Sequence, residues 1–301
     1  MSGAVGTEKA GDARVRQTAG SSSLGAWSLI VASNDEQVLG QTLLASPAID
    51  ERCQVITMRG YRSAGAAYNA GIDRAQNDIM VFAHQDVYLP RDWTTSVERA
   101  LRFLATDDPK WAVLGVFGAM RNGPHELRGH CYSTGLQSML GTAFENPLEA
   151  TSLDELLLVV RRSTGLRFDE ELPGFHLYGT DICLQAQVRG LKAYVISAFC
   201  IHNSTGLKYF PLAFWRSYLY MRSKWWDRLP VATCCTILEK TCGRMLAQIA
   251  RDLKARLLSS RRPGVRHVDI AQLHRSLVQG GLQTEPDERS EFGQRSAMRD
   301  A

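Results

Sequence analysis

No stretch of this chain approaches the ~20 consecutive apolar residues that a membrane-spanning helix needs, so an integral span is not expected. The seven cysteines include no C-x-x-C pair. Cys183, Cys200, Cys234, Cys235 and Cys242 sit in apolar or helical contexts, which reads as buried thiols in a reducing compartment. The opening residues, MSGAVGTEKAGDARVRQTAGSSSLG, carry acidic groups and have no apolar core, which argues against a signal peptide. A strong excess of either charge is also missing. The formal net charge is +4 and the pI about 8.7, with no stripe of interleaved aromatic and basic residues. Nucleic acid is therefore not an expected partner, whereas an anionic ligand or an anionic membrane surface would be tolerated. Finally, Ser33-Asn34-Asp35-Glu36 follows the first apolar run where a Gly-rich phosphate loop would stand, which speaks against a nucleotidyltransferase. The expected location is cytoplasmic, with peripheral membrane attachment left open.

What is present is ordinary for a globular protein: 45% hydrophobic and 22% charged residues over 301 positions, enough for one large α/β domain or two small ones. Residues 1–25 are rich in Gly, Ser, Ala and Thr without a period and read as a flexible tail. Apolar runs at Ala26–Ala32, Cys53–Met58 and Asp78–Ala83 alternate with helical stretches at Glu36–Ala45 and Ala64–Ala75, the latter opening at Ser63. Strand and helix in alternation imply a parallel sheet with right-handed crossovers. A helix over Trp93–Leu104 and a strand over Trp111–Ala119 continue the pattern. Met120–Asn146 has no period and reads as a binding loop. Leu153–Arg162 and Ala193–Ile201 read as strands and Thr180–Val188 as a helix. Thr236–Leu258 reads as a basic amphipathic helix carrying Arg244, Arg251, Lys254 and Arg256, suited to packing on the domain or to a membrane surface. Residues 261–301 are polar and expected to be disordered.

The chemistry gathers at strand ends. The run DIMVFAHQDVYLP carries His84, Gln85 and Asp86 off an apolar strand, and a His and an Asp two apart on an extended segment face one side. Imidazole with carboxylate suits a divalent cation such as Mn2+ or Mg2+, which in turn can hold a diphosphate. Asn34 and Asp35 end the first strand, Asp181 stands at a helix entry, and His202 ends the last strand. In an open α/β sheet such ends converge on one rim.

These pieces resemble the family 2 type glycosyltransferases of the GT-A fold over about Trp27 to Arg228. The resemblance rests on SLIVASND, RSAGAAYNAGIDRAQNDIMVFAHQDV and RRSTGLRFDEELPGFHLYGTDICLQAQVRGLKAYVISAFCIHNSTG. It implies an α/β GT-A fold, a mostly parallel central sheet flanked by helices, over residues 26–230, while the basic helical extension expected over 231–260 follows from its own spacing. It implies an inverting, metal-assisted transfer of a sugar from a nucleotide donor to a saccharide or other hydroxyl acceptor. Where the family has Asp-x-Asp, this chain has His84-Gln85-Asp86, so only the second aspartate is kept. The implied roles are Asp181 as catalytic base; Asp86, His84 and His202 at the metal; Asn34, Asp35, Arg62, Ser63, Asn69, His84, Gln85 and Asp86 at the nucleotide; and Asp169 and Trp225 at the acceptor. The alternatives are a GT-A-like nucleotide- or glycan-binding protein without turnover, suggested by His84 and Thr180, and, more remotely, a metal-dependent hydrolase.

Overall fold

The computed structural model describes residues 24–121, 126–206, 209–258, 264 and 266–282. Most of the two expected tails, 1–23 and 283–301, and part of the expected binding loop, 122–125, lie outside the described residues.

In chain order the elements are β1 (Trp27–Ser33), α1 (Glu36–Gln41), β2 (Cys53–Arg59), α2 (Ala64–Ile72), β3 (Ile79–Ala83), β4 (Val87–Tyr88), α3 (Trp93–Asp107), β5 (Trp111–Gly115), β6 (Phe117–Met120), β7 (Leu127–Gly129), β8 (Cys131–Ser133), β9 (Ser138–Leu140), β10 (Leu148–Leu153) and β11 (Leu157–Arg161). There follow α4 (Tyr178–Val188), β12 (Lys192–Val195), β13 (Cys200–His202), α5 (Leu212–Lys224), β14 (Val231–Ala232), β15 (Ile237–Leu238), α6 (Gly243–Leu258) and α7 (Ile270–Gln279). Nine strands form one sheet in the order β2-β1-β3-β11-β5-β12-β10-β6-β7. Six of them (β1, β2, β3, β5, β6, β12) run one way and three (β7, β10, β11) the other, which follows from the parallel and antiparallel pairings between neighbours.

The central strands are near-continuous apolar runs because both faces of the sheet are covered. Their period of two is visible in the core. Ile30, Met80 and Phe82 pack with Tyr68 of α2, Ile182 of α4 and Tyr218 of α5, whereas Leu29, Val31, Val81 and Ala83 pack with Leu39 of α1 and Val97 of α3. Leu24, just outside β1, is buried in the second of these clusters, so the expected flexible tail of residues 1–25 is docked at its last residues.

Several readings of the sequence need correction, among them the strand expected over Trp111–Ala119, which breaks at Val116 into β5 and β6. The single strand expected over Leu153–Arg162 breaks, because Asp154 accepts a hydrogen bond from the Leu156 amide (3.0 Å) and turns the chain between β10 and β11. The strand expected over Ala193–Ile201 is two strands in two sheets; β13 joins β4, β8 and β9 in a second, four-stranded sheet, so β8 and β9 lie within the expected Met120–Asn146 loop. The helix expected from Thr236 begins only at Gly243, after the β14–β15 hairpin. The segment read as a disordered tail contains α7, whose Ile270 packs with Tyr88, Phe199 and Ile201. Its few apolar residues fall at helical spacing and were outweighed by the polar composition around them. All seven cysteines carry free thiols; Cys131, Cys183 and Cys200 are buried, but Cys235 is exposed, contrary to expectation. Among the described residues no helix is long and apolar enough to cross a membrane.

A half-buried ion pair staples the end of α3 to β12. Asp108 accepts from Tyr194 Oη at 2.6 Å and pairs with Lys192 Nζ at 2.6 Å. Burial alone would raise its carboxyl, but those two hydrogen bonds prevail and hold it at about 2, below the ordinary 3.8. A depressed carboxyl contributes stability that is present above the unfolded value and lost as pH falls through the folded one, so the window runs from about pH 4 down to about 2. With Lys192 partly solvated, Asp108→Asn is expected to cost about 1–2 kcal/mol at pH 7. Urea unfolding should show that gap closing as pH approaches 2; a gap independent of pH would reject the ion-pair account.

Candidate active site

Gln85 ties the ends of β1 and β3 together. Its Oε1 accepts from Ser33 Oγ (2.9 Å), Asn34 N (3.1 Å) and Asp35 N (3.1 Å), and its Nε2 donates to Asn34 Oδ1 (2.7 Å). His84-Gln85-Asp86 is a turn and not the extended segment expected, closed by Val87 N donating to His84 O at 3.1 Å. His84 and Asp86 nevertheless share one side. Asn203 N donates to Asp86 O at 2.8 Å and β4 pairs with β13, bringing His202 alongside. Among the described residues, His84, Asp86 and His202 form a group whose potential metal-ligating atoms all lie within 4.8 Å of one another.

The electrostatics of this group are mixed, with one carboxylate set against two imidazoles and a guanidinium. Asp86 is buried, yet His202, with Nε2 at 3.4 Å from Oδ1, and Arg266 hold its carboxyl well below the usual range. Burial and the neighbouring His202 charge lower His84, leaving it neutral with a lone pair to offer. For His202 burial acts downward, but the Asp86 carboxylate outweighs it and raises the imidazole. One ionised carboxylate and two imidazoles, once His202 has given up its proton, form a nitrogen and oxygen donor set that fits Mn2+; Mg2+ takes oxygen more readily. His84 Nε2 also lies 3.1 Å from the Tyr178 hydroxyl, which itself donates to Glu155 O at 3.0 Å. Beside it, burial and the Asp154 charge push the Glu155 carboxyl up to about 8.

The group borders a cleft of about 500 Å³ lined by Ser33, Asn34, Gly60, Tyr61, Tyr68, His84, Gln85, Asp86 and Phe175 among others. That volume is within the range of small-molecule sites. Asn34, His84, Gln85 and Asp86 therefore meet at this cleft, although both ends of the Gln85 amide are taken up by the end of β1. Other expected nucleotide contacts have structural occupations. Asp35 caps α1 by accepting from Val38 N at 3.0 Å, and Ser63 caps α2 by accepting from Ala66 N at 3.4 Å. Asn69 is buried and bonds both the N–H and C=O of Phe168 (2.9 Å each), which explains its amide without a ligand. Arg62 is exposed on the loop before α2, outside the cleft lining.

Asp181 lies outside the lining of that cleft, on the first turn of α4, 1% exposed. Its oxygens meet Lys224 Nζ (2.7 Å), Trp225 Nε1 (2.8 Å) and Gln185 Nε2 (2.7 Å). Lys224 also reaches Asp169 at 2.6 Å, and Tyr220 Oη donates to Asp169 at 2.7 Å. The expected base and both expected acceptor residues thus share one cluster bridged by a lysine. Trp225 is 9% exposed as a residue, donates to Asp181 and has Lys224 Nζ 5.2 Å from its ring centroid, so little of it is open to a sugar. Gly65 permits the arrangement, since a Cβ there would stand 2.1 Å from the carbonyl oxygen of Asp169. Leu177, which opens α4, has φ of +65°, a strained value for a branched residue and of the kind found at functional sites. Tyr178 and Asp181 are one helical turn apart, so α4 touches the His84 group with one and the Lys224 cluster with the other. Sequence reasoning missed Lys224, Tyr178, Glu155 and Arg266. Only Tyr178, beside Thr180-Asp181, carried a local signal.

A family profile described as "Glycosyltransferase like family" matches residues 28–211. A curated relative, "ATP synthase subunits region ORF 6" of Fuscovulum blasticum, is 33% identical over an alignment of 140 residues that covers 44% of this chain and 53% of the relative. The chain thus spans about half the length of that relative. Among solved structures, the chain is similar to GalNAc-T7 with UDP, GalNAc and Mn2+, at 12% identity and TM-score 0.45, covering 68% of this chain and 48% of that one. It is similar to the mannosyltransferase PcManGT from Pyrobaculum calidifontis in complex with GDP-Man and Mn2+, at 11% identity and TM-score 0.42, covering 86% and 81%. It is also similar to S. aureus TarS 1-349 in complex with UDP-GlcNAc, at 14% identity and TM-score 0.42, covering 68% and 67%.

Proposed function

This chain belongs to the glycosyltransferase-like family, and from that premise we propose that it moves a sugar from a nucleoside-diphosphate donor to a hydroxyl-bearing acceptor, with inversion at the anomeric carbon. The observation that carries the proposal is the convergence of His84, Asp86 and His202 at the edge of a cleft bordered by Asn34 and Gln85. Those three side chains would hold the divalent cation, Mn2+ or Mg2+, which when bound offsets the charge of the departing diphosphate. Asn34, His84 and Gln85 line the donor's place. In the transfer, a bond forms from the acceptor oxygen to the anomeric carbon, the bond to the diphosphate oxygen breaks, and Asp181 takes the hydroxyl proton. Lys224 is not stranded when Asp181 becomes neutral, because Asp169 remains its partner at 2.6 Å.

A second reading, a nucleotide- or glycan-binding protein without turnover, is favoured by one feature: Asp181 is 1% exposed and already engaged by three groups. Calorimetric titration with UDP, GDP, dTDP and CMP, each with Mn2+ and again with EDTA, tests the first reading. Metal-dependent binding of one nucleotide, followed by hydrolysis or transfer from its sugar conjugate, supports it. Binding without turnover across a broad acceptor panel supports the second reading, and no binding rejects both donor-site assignments.

The partner surface of α6 fits an anionic membrane. Leu246, Ile249, Leu253 and Leu257 are exposed along one stripe, with Lys254 and Arg256 flanking it. The full chain is expected to pellet with vesicles containing anionic lipid, and Leu253→Glu with Lys254→Glu to release it. Equal pelleting of native and variant chains rejects this contact.

A further inference from the structure

The C-terminal segment that precedes α7 is strapped beside the candidate metal ligands. Asn203 is 2% exposed, and its side chain both accepts from His267 N (2.8 Å) and donates to His267 O (2.9 Å). Gly264 N donates to Thr205 O at 3.0 Å, and α7 continues onto the second sheet through Ile270. Between these anchors stands Arg266. Its Nε donates to Asn203 O (3.2 Å) and its Nη2 to Asp86 Oδ2 (3.3 Å).

The Asp86 contact is long for a charge-assisted pair, which closes to about 2.7–2.9 Å when fully made. Arg266 is 38% exposed in its side chain, and a guanidinium has five N–H donors of which these two contacts use a minority. The strap therefore fixes a partly committed cation against the one carboxylate of the candidate metal group. A divalent cation arriving at Asp86 would meet competition from that positive charge, whereas a diphosphate arriving with the cation would meet an added fork of donors.

We propose that Arg266 is a second cationic group for the donor diphosphate, paired with Asp86 in the absence of ligand and transferred to phosphate oxygens when a divalent cation takes that carboxylate. This rests on the donor-site reading above and adds to it a residue from outside the matched region, 28–211. The prediction has two opposite signs. In full-length Arg266→Ala, Mn2+ alone, followed by electron paramagnetic resonance, is expected to bind several-fold more tightly because its competitor is gone. Inorganic pyrophosphate, titrated calorimetrically with Mn2+, is expected to bind about tenfold more weakly, the scale of one lost charge-assisted contact. Arg266→Lys should fall between, since an ammonium keeps the charge but not the planar fork.

Parallel loss of both affinities would make the strap a structural brace and overturn the proposal, as would unchanged pyrophosphate affinity or no uptake of pyrophosphate by the native chain. If no chain takes up Mn2+, the metal-assisted reading falls separately. Pyrophosphate titration in EDTA then decides Arg266: a weaker variant supports its phosphate role, and equal affinities overturn it.

Discussion

Asp86→Ala is expected to abolish Mn2+ uptake and to reduce glycosyl transfer on the order of 1000-fold or more, the scale of losing several kcal/mol of charge stabilisation. The substitution removes the only carboxylate of the three-residue group. It also strips His202 and Arg266 of their shared counter-charge, since both face Asp86 oxygens at 3.4 and 3.3 Å. With Asp86 gone, the main influence that raises His202 disappears while burial and the Asp154 charge remain, so the imidazole is expected to become easier to deprotonate. The backbone survives the change, because Asn203 N bonds to the Asp86 carbonyl and not to its side chain. Circular dichroism and thermal melting should therefore show a folded protein. Electron paramagnetic resonance showing native Mn2+ affinity in the folded variant would remove Asp86 from the metal site.

Asp181→Asn is expected to lower kcat by about 10²–10⁴, the usual contribution of a positioned general base, with little change in nucleotide affinity. The split follows from geometry: Asp181 is absent from the lining of the cleft that holds Asn34, Gln85 and Asp86. An asparagine keeps one acceptor oxygen for Trp225 Nε1, and Lys224 retains Asp169, so the loss of stability is expected to be modest, about 1–3 kcal/mol. Native kcat in a folded but less stable Asp181→Asn protein would instead assign the Asp181–Lys224–Asp169 cluster a structural role. A change in nucleotide affinity alone would point to altered packing through α4.

The parts of this architecture legible in the sequence are those with strong local patterns. β1, β2 and β3 announce themselves as apolar runs, α2 opens at Ser63 as expected, and His84, Asp86 and His202 stand where strands run out. The split of Ala193–Ile201 was hidden because both halves are equally apolar, and only pairing distinguishes β12 in the large sheet from β13 in the small one. Asp35 and Asn69 illustrate a different limit. A polar side chain that caps a helix or latches a loop has the same letter as one that binds a ligand, and the distinction lies in contacts across up to 99 residues of sequence. Lys224 and Arg266 were missed for the same reason, since each meets its carboxylate from a distant segment, 43 residues from Asp181 and 180 from Asp86. The antiparallel insertion of β11 between β3 and β5 likewise has no signature within β11 itself.

Gln85 has a consequence for the kinetics of recognition. Both ends of its amide are already occupied by Ser33, Asn34 and Asp35, so the middle of the His84–Asp86 turn is riveted to the neighbouring strand end. On the proposed donor-site reading, an incoming nucleotide would meet a floor that does not have to be ordered at the moment of contact, the entropy of assembling it having been lost during folding and not during capture. Selectivity at this end of the cleft consequently behaves like that of a mould, set by a shape that exists before the guest arrives.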